Sequence, residues 1–161
     1  MCKDIKKQID VINQQIREFK SFYHIAARKA GICDGELCIW SVLLSTEEYS
    51  QQDLCNLFSL PKQTVNSLIS SLMKRGYVFL EHVPGTRNQK VIRLTEKGQG
   101  YGQTRVMWIF EAEQRVMEET DPEEVQVLIS MLGKYIWHLK REFAENNRYL
   151  TLNCTVKKEG M

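Results

Sequence analysis

Ile5, Ile9, Ile12, Ile16, Phe19, Tyr23 and Ala26 follow one another at spacings of four and three residues in turn. Only a helix puts such positions on one side, so residues 3–29 are predicted to form a single long amphipathic helix, with Gly31 beyond its end. The stripe is narrow, close to the seam of a coiled coil, and a seam of that length packs on another long helix, often that of a second chain. The chain must therefore build a largely helical fold with an apolar edge to cover. Its 161 residues fit one domain, and a composition 43% hydrophobic and 26% charged is that of a globular protein.

Other classes drop out. No apolar run approaches the ~20 residues that cross a bilayer. The first residues, Met1 to Gln8, lack the apolar stretch of a signal peptide. Five cysteines, an odd number spread from Cys2 to Cys154, read as reduced thiols and point to a cytoplasmic location rather than to a secreted disulfide scaffold. A net charge of +2 excludes a polybasic protein, so any nucleic-acid binding must come from a local patch.

Along the chain, Asp34 is a candidate N-cap for a second helix that turns Leu37, Trp40, Val42, Leu43 and Leu44 inward. Ser50 to Asp53 has the form of a capping box, with Asp in place of Glu, and opens a short helix containing Leu54, Leu57 and Phe58. Pro61 starts a fourth helix, which runs to Arg75 and stops at Gly76. Residues 77–82 and 90–94 are β-like and flank a turn-forming stretch, a hairpin with a polar tip. Thr95 caps a predicted long helix to about Glu119, its first turns weakened by Gly98, Gly100 and Gly102. Asp121-Pro122-Glu123-Glu124 opens a last helix with the stripe Val125, Leu128, Ile129, Leu132, Ile136, Leu139 and Phe143. Residues 146–161 show no period and are expected to form a tail.

Charge is not evenly distributed. Residues 61–98 carry seven basic side chains and two acidic ones, whereas residues 99–145 carry five basic and nine acidic. Phosphate neutralisation by Lys and Arg supplies most non-specific DNA affinity, so the basic helix-plus-hairpin segment suits a DNA surface. A plain solvated charge run would have the same composition.

The helix from Pro61 adds the decisive detail. Val65, Leu68, Ile69, Leu72 and Met73 share one side; Gln63, Ser67, Ser70 and Lys74 lie opposite, flanked by Lys62, Asn66 and Ser71. Amides pair in two-pronged fashion with adenine edges, hydroxyls bond bases or phosphates, and Lys suits guanine or phosphate. Hydroxyl-rich faces also occur at protein interfaces. With the short helix and tight connection before it, the segment has the pattern of a helix-turn-helix.

Ser50-Gln51-Gln52-Asp53-Leu54, Leu60-Pro61-Lys62-Gln63-Thr64-Val65-Asn66, Leu72-Met73-Lys74-Arg75-Gly76-Tyr77-Val78 and Arg93-Leu94-Thr95-Glu96-Lys97-Gly98 together resemble the winged helix-turn-helix of the MarR family of bacterial transcription regulators. The resemblance implies a mainly α fold with a small β-hairpin wing, a winged helix-turn-helix over 34–98, and dimerisation helices at 3–29 and 99–145, in one domain of residues 1–145. It implies a homodimeric, sequence-specific regulator of double-stranded DNA, a repressor released by a small ligand or an oxidant. Its operator would be pseudo-palindromic. Contacts would come from Lys62, Gln63, Thr64, Asn66, Ser67, Ser70 and Lys74 on the reading helix, and from Arg87, Asn88 and Lys90 in the wing. This chain departs from the family in one respect: Gly85 and Thr86 stand where an Asp usually orients the wing arginine, and the tip is one residue longer.

Relatives of this kind hold aromatic effectors, and Tyr23, Trp40 and Trp108 are the corresponding candidates here, although aromatics at such positions also serve as core. Some relatives sense oxidants. Cys2 lies beside Lys3, Lys6 and Lys7, which favour the thiolate, and Cys33 and Cys38 flank the start of the second helix; inert or buried thiols are the alternative. His24, His82 and His138 are isolated, no cysteine pair has zinc spacing, and no phosphate-binding glycine loop carries its Lys-Ser/Thr, so neither metal, cofactor nor enzymatic activity is expected. The rival reading is a winged-helix adaptor that binds protein without choosing a DNA sequence; a thiol enzyme is a more distant one.

Overall fold

The first helix runs from Lys3 to Ala30 and ends at Gly31, whose φ of +76° suits a residue without a Cβ. The computed structural model describes residues 3–45, 47–86 and 89–146. Among these it places, in order, α1 (Lys3–Ala30), α2 (Asp34–Leu43), α3 (Gln51–Phe58), α4 (Lys62–Lys74), β1 (Val78–His82), β2 (Lys90–Leu94), α5 (Glu96–Arg105), α6 (Met107–Glu119) and α7 (Pro122–Asn146). The fold is mainly α with one antiparallel hairpin, paired from Val78↔Leu94 to His82↔Lys90. The chain divides into two units between Ile109 and Phe110, a division that falls inside the expected 99–145 segment.

The first unit holds the core. Leu37, Ile39, Trp40, Leu54, Val65, Ile69, Leu72, Val91, Ile92 and Val106 are buried in it, drawn from α2, α3, α4, the hairpin and the residue after α5. Ser50 closes the expected capping box: its side chain accepts from Asp53 N at 3.2 Å, and the Asp53 carboxylate accepts from Ser50 N at 2.8 Å. Ser59, at the turn between α3 and α4, takes a left-handed conformation with φ of 51°.

Three local expectations are corrected. Asp34 is not the cap of α2: Cys33 holds the extended cap position, and the Asp34 carboxylate instead lies 3.0 Å from His24 Nδ1 on α1. Met73 does not face inward; it is 42% exposed, because the buried ridge of α4 is Val65, Ile69 and Leu72, and Met73 lies a residue past it. The long helix to Glu119 is two helices, broken at Val106, a buried C-cap with φ of −119°.

Of the three glycines expected to weaken α5, Gly98 and Gly102 are what let it form where it does. A Cβ on Gly98 would stand 2.0 Å from Tyr77 O, and one on Gly102 would stand 2.6 Å from Leu44 Cδ2, so both are points of close approach. Thr95 caps α5 as expected, accepting from Gly98 N at 3.0 Å, and its hydroxyl donates to Gly76 O at 2.7 Å.

The second unit comprises α6 from Phe110 onward and α7. Asp121 Oδ1 accepts from Glu123 N at 2.8 Å, the cap its sequence implies. Val127, Leu128, Ile129, Met131, Leu132, Ile136, Trp137 and Phe143 of α7 are all exposed. In the first unit Ile5, Ile9, Ile16, Phe19, Phe22 and Ile25 of α1 are exposed as well. No described helix is long and apolar enough to cross a membrane.

Candidate nucleic-acid interface

The reading helix follows from its own period. Val65, Ile69 and Leu72 are buried, so the 3.6-residue repeat turns Lys62, Gln63, Thr64, Asn66, Ser67, Ser70 and Lys74 outward, and all seven are exposed. No acidic residue stands on α4. Pro61 is its N-cap, with φ of −57°, and Gly76 at φ +74° turns the chain into β1.

The wing is built on a turn that its sequence prescribes. Thr86 N donates to Val83 O at 3.2 Å, closing Val83-Pro84-Gly85-Thr86, and Gly85 takes φ of +79°. Pro second and a positive-φ Gly third is the type II arrangement. Val83 N then donates to Gln89 O at 3.0 Å, which continues the pairing past His82 and Lys90. Lys90 is exposed. Arg87 and Asn88 lie outside the described residues.

The structure sorts the basic side chains of this segment into two kinds, a division the composition does not reveal. Arg93 Nε donates to Glu81 Oε2 at 2.7 Å across the hairpin, and its Nη2 donates to Glu48 Oε1 at 2.5 Å in the α2–α3 connection. Both carboxylates hold its positive charge more firmly still, raising the guanidinium pKa above its usual value. Ile92 N donates to Tyr49 O at 2.9 Å beside it, so the wing is moored to that connection through backbone and side chain together. Arg75 pairs with Glu36, and Lys97 Nζ donates to Arg75 O at 2.7 Å. Lys62, Lys74 and Lys90 form no ion pair among the described residues. These three are free to meet phosphate.

Between the start of α3, the first turn of α4 and the wing lies an open cleft of about 300 Å³, lined by Ser50, Gln51, Gln52, Cys55, Lys62, Gln89 and Lys90. Only Lys62 and Lys90 of these were marked by sequence reasoning. Gln51, Gln52 and Cys55 come from α3 and Gln89 from the wing, 34 residues beyond Cys55 in the chain.

The effector candidates are dispersed in character. Trp40 is fully buried: its indole N–H donates to Glu36 Oε1 at 3.1 Å, and its ring lies 5.5 Å from Tyr101 and 6.1 Å from Tyr77. Tyr77 and Tyr101 are stacked at 4.5 Å. Tyr23 is half-buried with its ring 4.8 Å from Phe19, and Trp108 is 40% exposed, its indole donating to Arg105 O at 3.1 Å. Of the thiols, Cys33 is exposed and Cys38 is half-buried, where burial first and the Asp34 charge second push its pKa up, away from thiolate character. Cys2 lies outside the described residues.

No protein-family model matches this sequence, and no curated protein does. Solved structures do match. NMB1585, a MarR family regulator from Neisseria meningitidis, superposes with a TM-score of 0.74 at 18% identity over 87% of this chain and 99% of its own. A MarR/EmrR family transcriptional regulator from Acinetobacter sp. ADP1 does so with a TM-score of 0.66 at 23% identity, over 87% and 99%. NadR, solved in complex with 4-hydroxyphenylacetate, gives 0.64 at 20% identity, over 79% and 91%. The chain has the winged-helix fold of the MarR-family regulators.

Proposed function

We propose that this chain is a sequence-specific regulator of double-stranded DNA that works as a homodimer in the cytoplasm, a repressor released by a small ligand or an oxidant. The observation that carries the reading is the outer face of α4: Gln63, Asn66, Ser67 and Ser70 exposed together, lysines at both ends and no acid on the helix. Amide and hydroxyl groups on a helix of this kind match base edges in a major groove, and Lys62, Lys74 and Lys90 match the phosphates beside it. The fold shared with the MarR-family regulators of Neisseria meningitidis and Acinetobacter sp. ADP1 supports the same reading.

Dimerisation is supported by the apolar faces of α1 and α7, each exposed in the single chain far beyond what a soluble monomer tolerates. The aromatic acid bound by NadR supports an aromatic carboxylate as effector, with Tyr23 and Trp108 as its candidate contacts. For release by an oxidant, Cys33 is the better placed of the two described candidate thiols, since it is exposed.

Selection from a pool of random duplexes tests the reading. The expected product is an inverted repeat with half-sites about one helical turn (~34–36 Å) apart. Binding that picks no sequence at physiological salt would overturn it in favour of an adaptor whose basic face meets an acidic protein.

A further inference from the structure

We propose that Arg75 is a positioning residue that sets the angle at which α4 presents Gln63, Asn66 and Ser67 to base edges; the inference rests on the DNA-binding reading above. By composition Arg75 belongs with Lys74, as one more cation for phosphate. The fold turns it the other way. Its Nε and Nη2 are closed off from solvent, the buried Glu36 of α2 stands against it, and its guanidinium lies 5.2 Å from the centre of the Tyr77 ring. A cation held between a buried carboxylate and an aromatic face is committed to the protein.

The backbone is held at the same point. Lys97 Nζ donates to Arg75 O, the Thr95 hydroxyl to Gly76 O, and Thr95 N to Tyr77 O at 3.0 Å, so three successive carbonyls at the exit of α4 are tied to the start of α5. Lys97 also lies 5.2 Å from the centre of the Tyr77 ring, and its charge suits the negative end of the α4 dipole. The opposite end is held differently: Pro61 caps α4 without a side-chain hydrogen bond. Between the ends, Val65, Ile69 and Leu72 fix the depth of α4, but apolar burial is non-directional. Direction comes from the C-terminal end. Gln63 precedes Arg75 by about 18 Å of helix, so a tilt of about 3° at Arg75 moves it by about 1 Å. A hydrogen bond to a base edge holds only over about 2.7–3.2 Å and fails at that error, whereas a lysine follows a phosphate on its flexible stem.

The split between base and phosphate contacts supplies the test. Binding isotherms of the full-length protein on a selected duplex and on a scrambled one, over a range of salt, are compared for the parent, Arg75→Gln and Glu36→Gln, at a temperature where circular dichroism shows all three folded. Each variant should lower the ratio of selected to scrambled affinity about tenfold, the loss of one or two net hydrogen bonds. The scrambled affinity and the salt slope should stay unchanged. Glu36→Gln/Arg75→Gln should lose no more than either single variant, because the two side chains act as one. A lower melting temperature with the ratio kept would make the link structural only and overturn the proposal. A fall on both duplexes alike, with the salt slope smaller by about one, would make Arg75 a phosphate contact and overturn it as well. Either of these outcomes spares the DNA reading. A parent that binds both duplexes equally would overturn that reading, and the positioning role with it.

Discussion

Glu36 Oε1 lies 2.7 Å from Arg75 Nη2, a link between α2 and the C-cap of the reading helix. Glu36 is 7% exposed and receives the Trp40 indole N–H on the same oxygen. The Arg75 guanidinium lies over the Tyr77 ring at 5.2 Å, and its buried Nε and Nη2 find no aligned hydrogen-bond acceptor. Charge and ring contact, rather than directed hydrogen bonds, hold it.

Removing one partner of a mostly buried pair strands the other, and the partial exposure of Arg75 reduces the penalty. Glu36→Ala is expected to cost about 2 kcal/mol in urea unfolding, whereas Glu36→Gln, which keeps an acceptor for Trp40, costs about half of that. Equal losses for the two would show that the acceptor for Trp40 contributes nothing; no loss in Glu36→Gln would show that the charge contributes nothing.

Two glycines two residues apart on α5 should respond with opposite signs. Gly98→Ala puts a methyl 2.0 Å from the Tyr77 carbonyl, backbone that cannot step aside, and should destabilise by about 3 kcal/mol or more. Gly100 meets nothing within 4 Å, so Gly100→Ala should stabilise by about 0.5–1 kcal/mol through helix propensity. Thermal melts of the pair suffice to check this.

Binding isotherms on a selected site and on a scrambled one separate three kinds of residue. Gln63→Ala and Ser67→Ala should narrow the gap between the two sites by about 1–3 kcal/mol each. Lys74→Gln should weaken both sites alike and lower the salt slope by about one. Arg93→Gln should leave that slope nearly unchanged, because its charge already faces Glu48 and Glu81.

Ile16→Glu on α1 or Leu132→Glu on α7 should halve the mass measured by sedimentation at micromolar concentration. Each introduces a charge where the dimer reading buries an exposed apolar side chain, at a cost of several kcal/mol. An unchanged mass for both would remove these faces from the interface.

Alkaline pH should destabilise the fold through Cys38. Burial, reinforced by the Asp34 charge, keeps the folded thiol neutral, so its pKa rises above that of the unfolded chain. The unfolded chain then loses its proton first. Stability is full below the unfolded thiol's pKa and declines as pH rises through that value towards the folded one. Urea midpoints in reductant at rising pH should therefore fall less steeply in Cys38→Ala; parallel curves would remove the thiol as the cause.

The helices, the hairpin and the two faces of α4 were legible in the sequence because each rests on local period, caps and turn residues. Val65, Ile69 and Leu72 are buried as their spacing requires, Ser50, Thr95 and Asp121 cap as their types require, and Pro84-Gly85 turns as its order requires. Tertiary packing decided the rest. Residues 96–119 carry no proline to mark a break, yet the helix ends at Val106, a side chain that the core of the first unit buries. Arg93 is engaged and Lys90 is not because of neighbours distant in sequence, one of them, Glu48, 45 residues away. Whether a cation is spent inside the fold or left for a partner depends on what the chain brings back to it, and that information lies in the pairing of elements, beyond the reach of any local window.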